Sequence, residues 1–164
     1  MHSLPRTSFV NKNIHVQARA VIIQNDNILL CKTTGLDPDF YFLPGGHIEH
    51  GESAKDALLR ELKEEIGFDF EIRRFLGCME YSFDPQAMQY AKCHTHEYNF
   101  IFEASAKLLP SPPTPLKQIE KHIEISWVQL DQLHLIDFRP ESLKALISQW
   151  LERDLNHALQ SKMV

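Results

Sequence analysis

The chain has 164 residues, 43% of them hydrophobic, and a formal net charge of −5 with histidines neutral. That is enough apolar material for one domain, residues 1–164, with a sizeable core. The acidic balance excludes duplex nucleic acid as a partner, and the absence of an apolar run near the roughly 18 residues of a bilayer span excludes a membrane helix.

In chain order, residues 16–23 are apolar and β-branched, Asn25-Asp26-Asn27 has turn chemistry, and residues 28–33 resume an apolar run. Together they predict a hairpin. A short strand over 41–43 runs into Pro44, and another over 47–49 leads to a helix. Leu58, Leu59, Leu62 and Ile66 form the apolar stripe of that helix, Ser53 is its N-cap with Asp56 three residues later, and Gly67 supplies its C-cap. Residues 71–83 and 97–107 read as two longer strands and 123–128 as the last. Between them, the prolines of residues 110–115, PSPPTP, predict a stiff surface connection. Residues 130–134 predict a short helical turn. Pro140, taken as a first helical residue, opens a terminal amphipathic helix through about residue 155. Strands flanked by two helices of different chemistry predict an α/β domain whose mixed β-sheet is covered on both sides.

Cys31, Cys78 and Cys93 are odd in number and lack C-x-x-C spacing, which argues against a disulfide framework or zinc knuckle. The polar N-terminus has no signal-peptide apolar region, so a cytoplasmic location is expected.

The chemistry concentrates in PGGHIEHGESAKDALLRELKEEIGF, residues 44–68. A helix advances about 100° per residue, so Glu61, Glu64 and Glu65 share one arc. Like charges at that spacing repel and need a counter-charge. Hard cations such as Mg²⁺, with Mn²⁺ as a substitute, prefer carboxylate oxygen and keep positions open for water and phosphate. Gly45-Gly46 permits a turn with positive φ and leaves a backbone carbonyl open to a metal. Arg60 falls outside the acidic arc and is expected to pair with Glu52, bracing the loop against the helix. For ELKEE alone, a solvated helix face is the commoner outcome.

The whole run decides between them. Gly46, Glu52, Arg60, Glu61, Leu62, Glu64, Glu65, Gly67 and Phe68 reproduce G-x5-E-x7-R-E-U-x-E-E-x-G-U, with U a bulky apolar residue, at every fixed position. This segment, residues 46–68, resembles the signature of the Nudix hydrolases. Further likeness runs through residues 18–32, 41–46, 96–100, 122–127 and 139–143, and is similar to small single-domain bacterial Nudix proteins. The resemblance implies an α/β/α sandwich with a mixed sheet flanked by helices. It also implies metal-dependent hydrolysis of a nucleoside diphosphate linked to a group X. By position, Glu61, Glu64 and Glu65 resemble metal ligands, with the Gly45 carbonyl an additional one. Arg60 and Glu52 resemble the orienting pair.

The expected substrate is a small nucleotide, a nucleoside or deoxynucleoside triphosphate cut to monophosphate and pyrophosphate. ADP-ribose, NADH or a dinucleoside polyphosphate is the alternative, and a nucleotide-sensing module without turnover is a second. The general base is open within the pattern, where Glu64 or Glu65 can serve; outside it Glu97, Glu120 and Glu124 are candidates, with Glu97 preferred over a strand-edge salt bridge for that residue. Candidate substrate-binding residues are Arg19, Lys32, Tyr41, Phe42 and His96. His96 alternates with His94 on one strand face, where surface exposure competes with phosphate contact. His47 and His50 lie beside the glycines with the same two readings. Tyr81, Phe83 and Trp127 are further rings able to stack a base, although Trp127 sits in a core pattern. Arg139 is read first as a cap on the strand-to-helix connection. Phe9, Val10 and Ile14 leave monomer and homodimer both open.

Overall fold

A computed structural model of the protein describes residues 14–82 and 96–152, and the backbone of residues 159–162. Phe9, Val10, Phe83, Cys93 and His94 lie outside the described residues, as do positions 153–155 of the expected terminal helix.

The chain opens with β1 (His15–Val21), followed by β2 (Ile23–Gln24) and β3 (Asn27–Thr33). Asn25 and Asp26 turn the β2–β3 hairpin, both at positive φ, 49° and 58°. A two-residue hairpin turn demands that conformation, and Asn and Asp tolerate it best after glycine. The hairpin is shorter than expected. Only Ile23 and Gln24 pair with β3, whereas β1 belongs to a different sheet. Alternating apolar residues mark a strand but carry no information on its partner, so the sequence pattern merges β1 with β2.

One sheet has the order β5-β1-β7-β6-β9, built from β1 with β5 (Gly45–His47), β6 (Glu71–Ser82), β7 (His96–Ser105) and β9 (Leu159–Lys162). It is mixed: β1 runs parallel to β7 and antiparallel to β5, while β6 runs antiparallel to β7 and parallel to β9. In the second sheet β3 pairs antiparallel with β2, with β4 (Tyr41–Phe42) and with β8 (Ile123–Gln129).

Two helices complete the layers. Leu58, Leu62 and Ile66 of α1 (Ala54–Ile66) pack with Ala18, Ala20, Leu29, Cys31 and Ile125. Ile147 and Trp150 of α2 (Leu143–Leu151) pack with Val21, Leu30, Ile101 and Phe138. The arrangement is the expected α/β class, a mixed sheet with helices against it.

The ends of α1 follow from their residues. Ser53 Oγ accepts from the Asp56 amide at 3.1 Å, and Gly67, at φ 85°, donates its amide to the Lys63 carbonyl at 3.0 Å. Three other details differ from expectation. The glycine pair lies within β5, paired to β1, rather than in a free turn, so that strand begins at Gly45 instead of residue 47. Helix α2 begins at Leu143, because the Pro140 carbonyl takes the Leu143 amide at 3.0 Å in an i to i+3 turn first. Strand β9 went unforeseen, since LQSK offers one apolar residue and no alternation to read. Residues 106–122 are the irregular connection that the prolines predict, and Leu130–Leu135 is a 3₁₀ helix at the foreseen position.

Leu62 is fully buried beneath the acidic helix face, whereas Leu108 is 84% exposed. Leu62→Ala is therefore expected to lower unfolding stability by about 2–5 kcal/mol and Leu108→Ala by about 0.5 kcal/mol or less, measured by urea denaturation.

Candidate active site

The three acids of α1 share a helix face but differ in environment. Leu58, Leu62 and Ile66 set the rotation of the helix by burying against the sheets, and Glu65, next in line, is carried inward until it is 6% exposed. Its Oε2 accepts the Gly45 amide at 2.8 Å and lies 3.9 Å from Cys31 Sγ. Burial pushes the Glu65 carboxyl up to about 7; the Gly45 amide and Arg19 oppose the shift, and the nearby Glu61 and Glu120 reinforce it. Burial also drives the Cys31 thiol well up, aided by Glu65, so that sulfur stays protonated. Glu64, at the outer edge, has a side chain 54% exposed.

Arg60 pairs with Glu52 as expected, through Nε to Oε1 at 2.9 Å and Nη2 to Oε2 at 3.0 Å. It also does more. Nη1 donates to Glu61 at 2.8 Å and lies 3.4 Å from Glu64, and Nη2 reaches the His47 carbonyl at 3.1 Å. The expectation that Arg60 stands apart from the acidic arc is thus corrected. Its long side chain folds back across the face, because three carboxylates without a counter-charge attract the nearest guanidinium. Arg60 holds the Glu52 carboxyl below the usual carboxylate range.

Two glycines make room for the acids. At Gly45, with φ 118°, a Cβ would stand 2.2 Å from the Ala18 carbonyl oxygen; at Gly46 it would stand 2.5 Å from the Glu61 carboxyl carbon. Gly46 therefore leaves a cradle that only a bare backbone provides. The Gly45 carbonyl accepts from Arg19 Nη1, which also donates to the Leu43 carbonyl at 3.1 Å. Among the described residues, no three His, Cys, Asp or Glu side chains converge as a ready metal site. The donor set nevertheless fits a hard divalent cation, since it is all oxygen, arranged on one helix face beside a backbone cleared of side chains.

The other expected site residues fall in two groups. Arg19 lies with its guanidinium 5.6 Å from the Phe42 ring and close enough to Glu65 to lower its carboxyl. Lys32 sits 5.8 Å from the Tyr41 ring. Phe42 packs against the α1 core and Tyr41 against the α2 core, so strand alternation places these adjacent rings on opposite faces. Burial raises the Tyr81 hydroxyl, and Glu97 on β7 adds to that while accepting from Asn99 Nδ2 at 3.4 Å. It makes no ion pair among the described residues. His96 Nε2 is sealed from solvent with no hydrogen-bond partner among the described residues. Trp127 packs on the α1 core, and Arg139 binds Asp137 at 2.9 and 2.6 Å while stacking 4.5 Å from the Phe40 ring. His47 meets His15 across 3.0 Å between ring nitrogens. Two buried amides, Gln17 and Asn99, line the same region without having been foreseen, since a neutral amide in a strand carries no charge or spacing signal.

Because the folded Glu65 carboxyl titrates above its unfolded value, the protonated form favours folding. Stability from this group is intact in acid and declines as pH rises from the ordinary carboxylate range to about 7. In chelator, wild type is expected to lose more stability between about pH 5 and 8 than Glu65→Gln, which carries no charge to bury. Urea midpoints of both proteins across that range measure it; identical pH slopes contradict it.

Residues 14–150 match the family described as NUDIX domain. The chain is 31% identical over 120 residues to the nucleoside triphosphatase NudI of Enterobacter sp. (strain 638), covering 71% of this chain and 83% of that protein. It is 25% identical over 136 residues to the NAD-capped RNA hydrolase NudC of Stutzerimonas stutzeri (strain A1501), covering 82% of this chain and 44% of that one. Against the first curated relatives it matches, the chain spans less than half their length, 44%, 28% and 40%. Among solved structures, the NUDIX hydrolase from Nitrosomonas europaea aligns with a TM-score of 0.67 at 23% identity over 86% of this chain and 90% of that one. This likeness bears on the fold alone. Divalent metal ions are in general use across the family. With the match spanning residues 14–150 and every fixed position of the 46–68 pattern present, the chain belongs to the Nudix family.

Proposed function

We propose that the protein is a metal-dependent nucleotide pyrophosphohydrolase that converts a nucleoside or deoxynucleoside triphosphate to the monophosphate and pyrophosphate. The observation that carries this reading is the complete acidic face of α1, Glu61, Glu64 and Glu65, with Gly46 cleared for the Glu61 carboxylate and Arg60 braced by Glu52. A sensing module without turnover is free to lose one of these groups, and none is lost. The 31% identity to a protein named nucleoside triphosphatase supports the choice of substrate over ADP-ribose, NADH or a dinucleoside polyphosphate.

Glu61, Glu64, Glu65 and the Gly45 carbonyl would hold Mg²⁺ or Mn²⁺, with the carbonyl's second lone pair still available beside Arg19. The bound cation supplies charge neutralisation at the pyrophosphate oxygens and acidifies water. The chain's own residues do the rest. Arg60 and Glu52 hold the helix against the end of β5 at His47, keeping the carboxylates in place. Arg19, a cation next to this face, contacts phosphate oxygen. A carboxylate outside the helix accepts the proton of the attacking water. Glu120, close enough to raise the Glu65 carboxyl, is the first candidate for this and Glu97 the second.

A panel of nucleotides incubated with and without Mg²⁺, with products weighed after reaction in ¹⁸O water, tests the reading. Metal-dependent monophosphate and pyrophosphate are expected; nucleotide binding with no turnover of any member supports the sensing module instead. Glu64→Gln and Glu65→Gln are expected to lower kcat by about three orders of magnitude or more with the fold retained, because an amide binds hard cations poorly. Near-wild-type turnover in both removes their proposed roles. Glu120→Gln should cost about 100-fold in kcat and Glu97→Gln much less. The reverse order returns the base to Glu97.

A further inference from the structure

Two buried carboxamides stand side by side on the sheet next to the proposed site. Gln17 of β1 is 2% exposed and Asn99 of β7 is 5% exposed, and they are register partners in the parallel β1–β7 pair. Register partners on adjacent strands project to the same face, about 4.8 Å apart. Each amide is oriented by an ion. Gln17 Oε1 accepts twice from Arg19, Nε at 3.0 Å and Nη2 at 2.6 Å, which fixes its NH₂ away from the guanidinium. Asn99 Nδ2 donates to Glu97 at 3.4 Å, which fixes its carbonyl away from the carboxylate. Gln17 Nε2 and Asn99 Oδ1 have no hydrogen-bond partner among the described residues. One donor and one acceptor, locked and adjacent, are thus left over.

Neither atom is among the sealed polar atoms without a partner, so both are open to solvent, and a ligand with the complementary edge can take the place of the water on them. The pair is joined to the acidic helix without a gap. Glu65 holds the Gly45 amide, Arg19 holds the Gly45 carbonyl, and Gln17 lies two residues from Arg19, about 7 Å along the strand. Phosphate offers acceptors only, so it satisfies Gln17 and meets the Asn99 carbonyl with like charge. A base edge offers an acceptor beside a donor. In guanine and uracil the keto oxygen stands where adenine and cytosine carry an amino group, and the neighbouring ring nitrogen changes role with it. A fixed donor and acceptor cannot suit both kinds.

We propose that Gln17 and Asn99, oriented by Arg19 and Glu97, form a nucleobase-reading pair that separates keto bases from amino bases. This rests on the pyrophosphohydrolase reading for the location of the phosphates.

The test compares kcat/KM for GTP against ATP and for UTP against CTP, with base-free phosphoribosyl pyrophosphate as a control, in wild type, Gln17→Glu and Asn99→Leu. Gln17→Glu keeps an acceptor for Arg19 and replaces the free donor with an acceptor; Asn99→Leu removes the free acceptor. Thermal melting establishes that each variant is folded, and either one alone suffices. The expected result is a keto-to-amino ratio at least about 10-fold from unity in wild type and moved at least 10-fold by the substitution. A ratio near unity in wild type, or an equal loss on all five compounds, overturns the proposal. Should wild type hydrolyse none of them, the pyrophosphohydrolase reading fails by itself. The same ratio is then read in calorimetric binding of imido triphosphates of the four bases, where equal affinities overturn the pair as well.

Discussion

A carboxylate taken out of water must be hydrogen-bonded or neutralised, and the region around Glu65 is organised by that requirement. An unpaired buried charge costs several kcal/mol. Here the Gly45 amide bonds Glu65 at 2.8 Å, Arg19 lends positive charge, and part of the remaining cost is avoided by a carboxyl raised to about 7. The bond to Gly45 ties α1 to β5, and β5 is paired to β1. Only glycine permits that approach, because any Cβ at position 45 would enter the Ala18 carbonyl. With Glu65 so fixed, helix geometry places Glu61 and Glu64 on the neighbouring turn without further instruction.

Charge balance then explains why Arg60 cannot complete the site by itself. One guanidinium faces Glu52, Glu61 and Glu64, which leaves two negative charges in excess before Glu65 is counted. Its planar fork suits Glu52 in two-point contact, and the remaining donors are shared between Glu61, Glu64 and the His47 carbonyl. The excess is of the size a divalent cation carries. A site of this kind is held in shape by its own arginine while remaining electrostatically incomplete.

Most of this was legible from residues 44–68, because helix periodicity converts spacing into a shared face and caps announce themselves through Ser53 and Gly67. Burial was not legible to the same degree. Nothing in ELKEE separates Glu65, driven into the core, from Glu64, left half in water; that difference comes from where the Leu58, Leu62 and Ile66 stripe meets the sheets. Pairing was likewise hidden. The step from β1 to β2 across sheets and the addition of β9 depend on partners distant in sequence, and local patterning has no access to them. Gln17 and Asn99 were invisible for a further reason. An amide in a strand acquires meaning only through the neighbour that orients it, and Asn99 lies 82 positions from its register partner.

The two halves of the site also obey different constraints. On the proposed reading, the acidic helix face answers to a cation and to pyrophosphate, which are the same in every such substrate, so its residue types and spacing are tightly specified by chemistry. On that same proposed reading, the β1–β7 face answers to whatever is attached to the phosphates. Its groups are neutral amides whose preference is set by which end is held, by Arg19 in one case and Glu97 in the other. Reversing one such orientation exchanges a donor for an acceptor without disturbing sheet pairing or helix packing. On the proposed reading, specificity can therefore change on this face while the acidic helix face stays fixed.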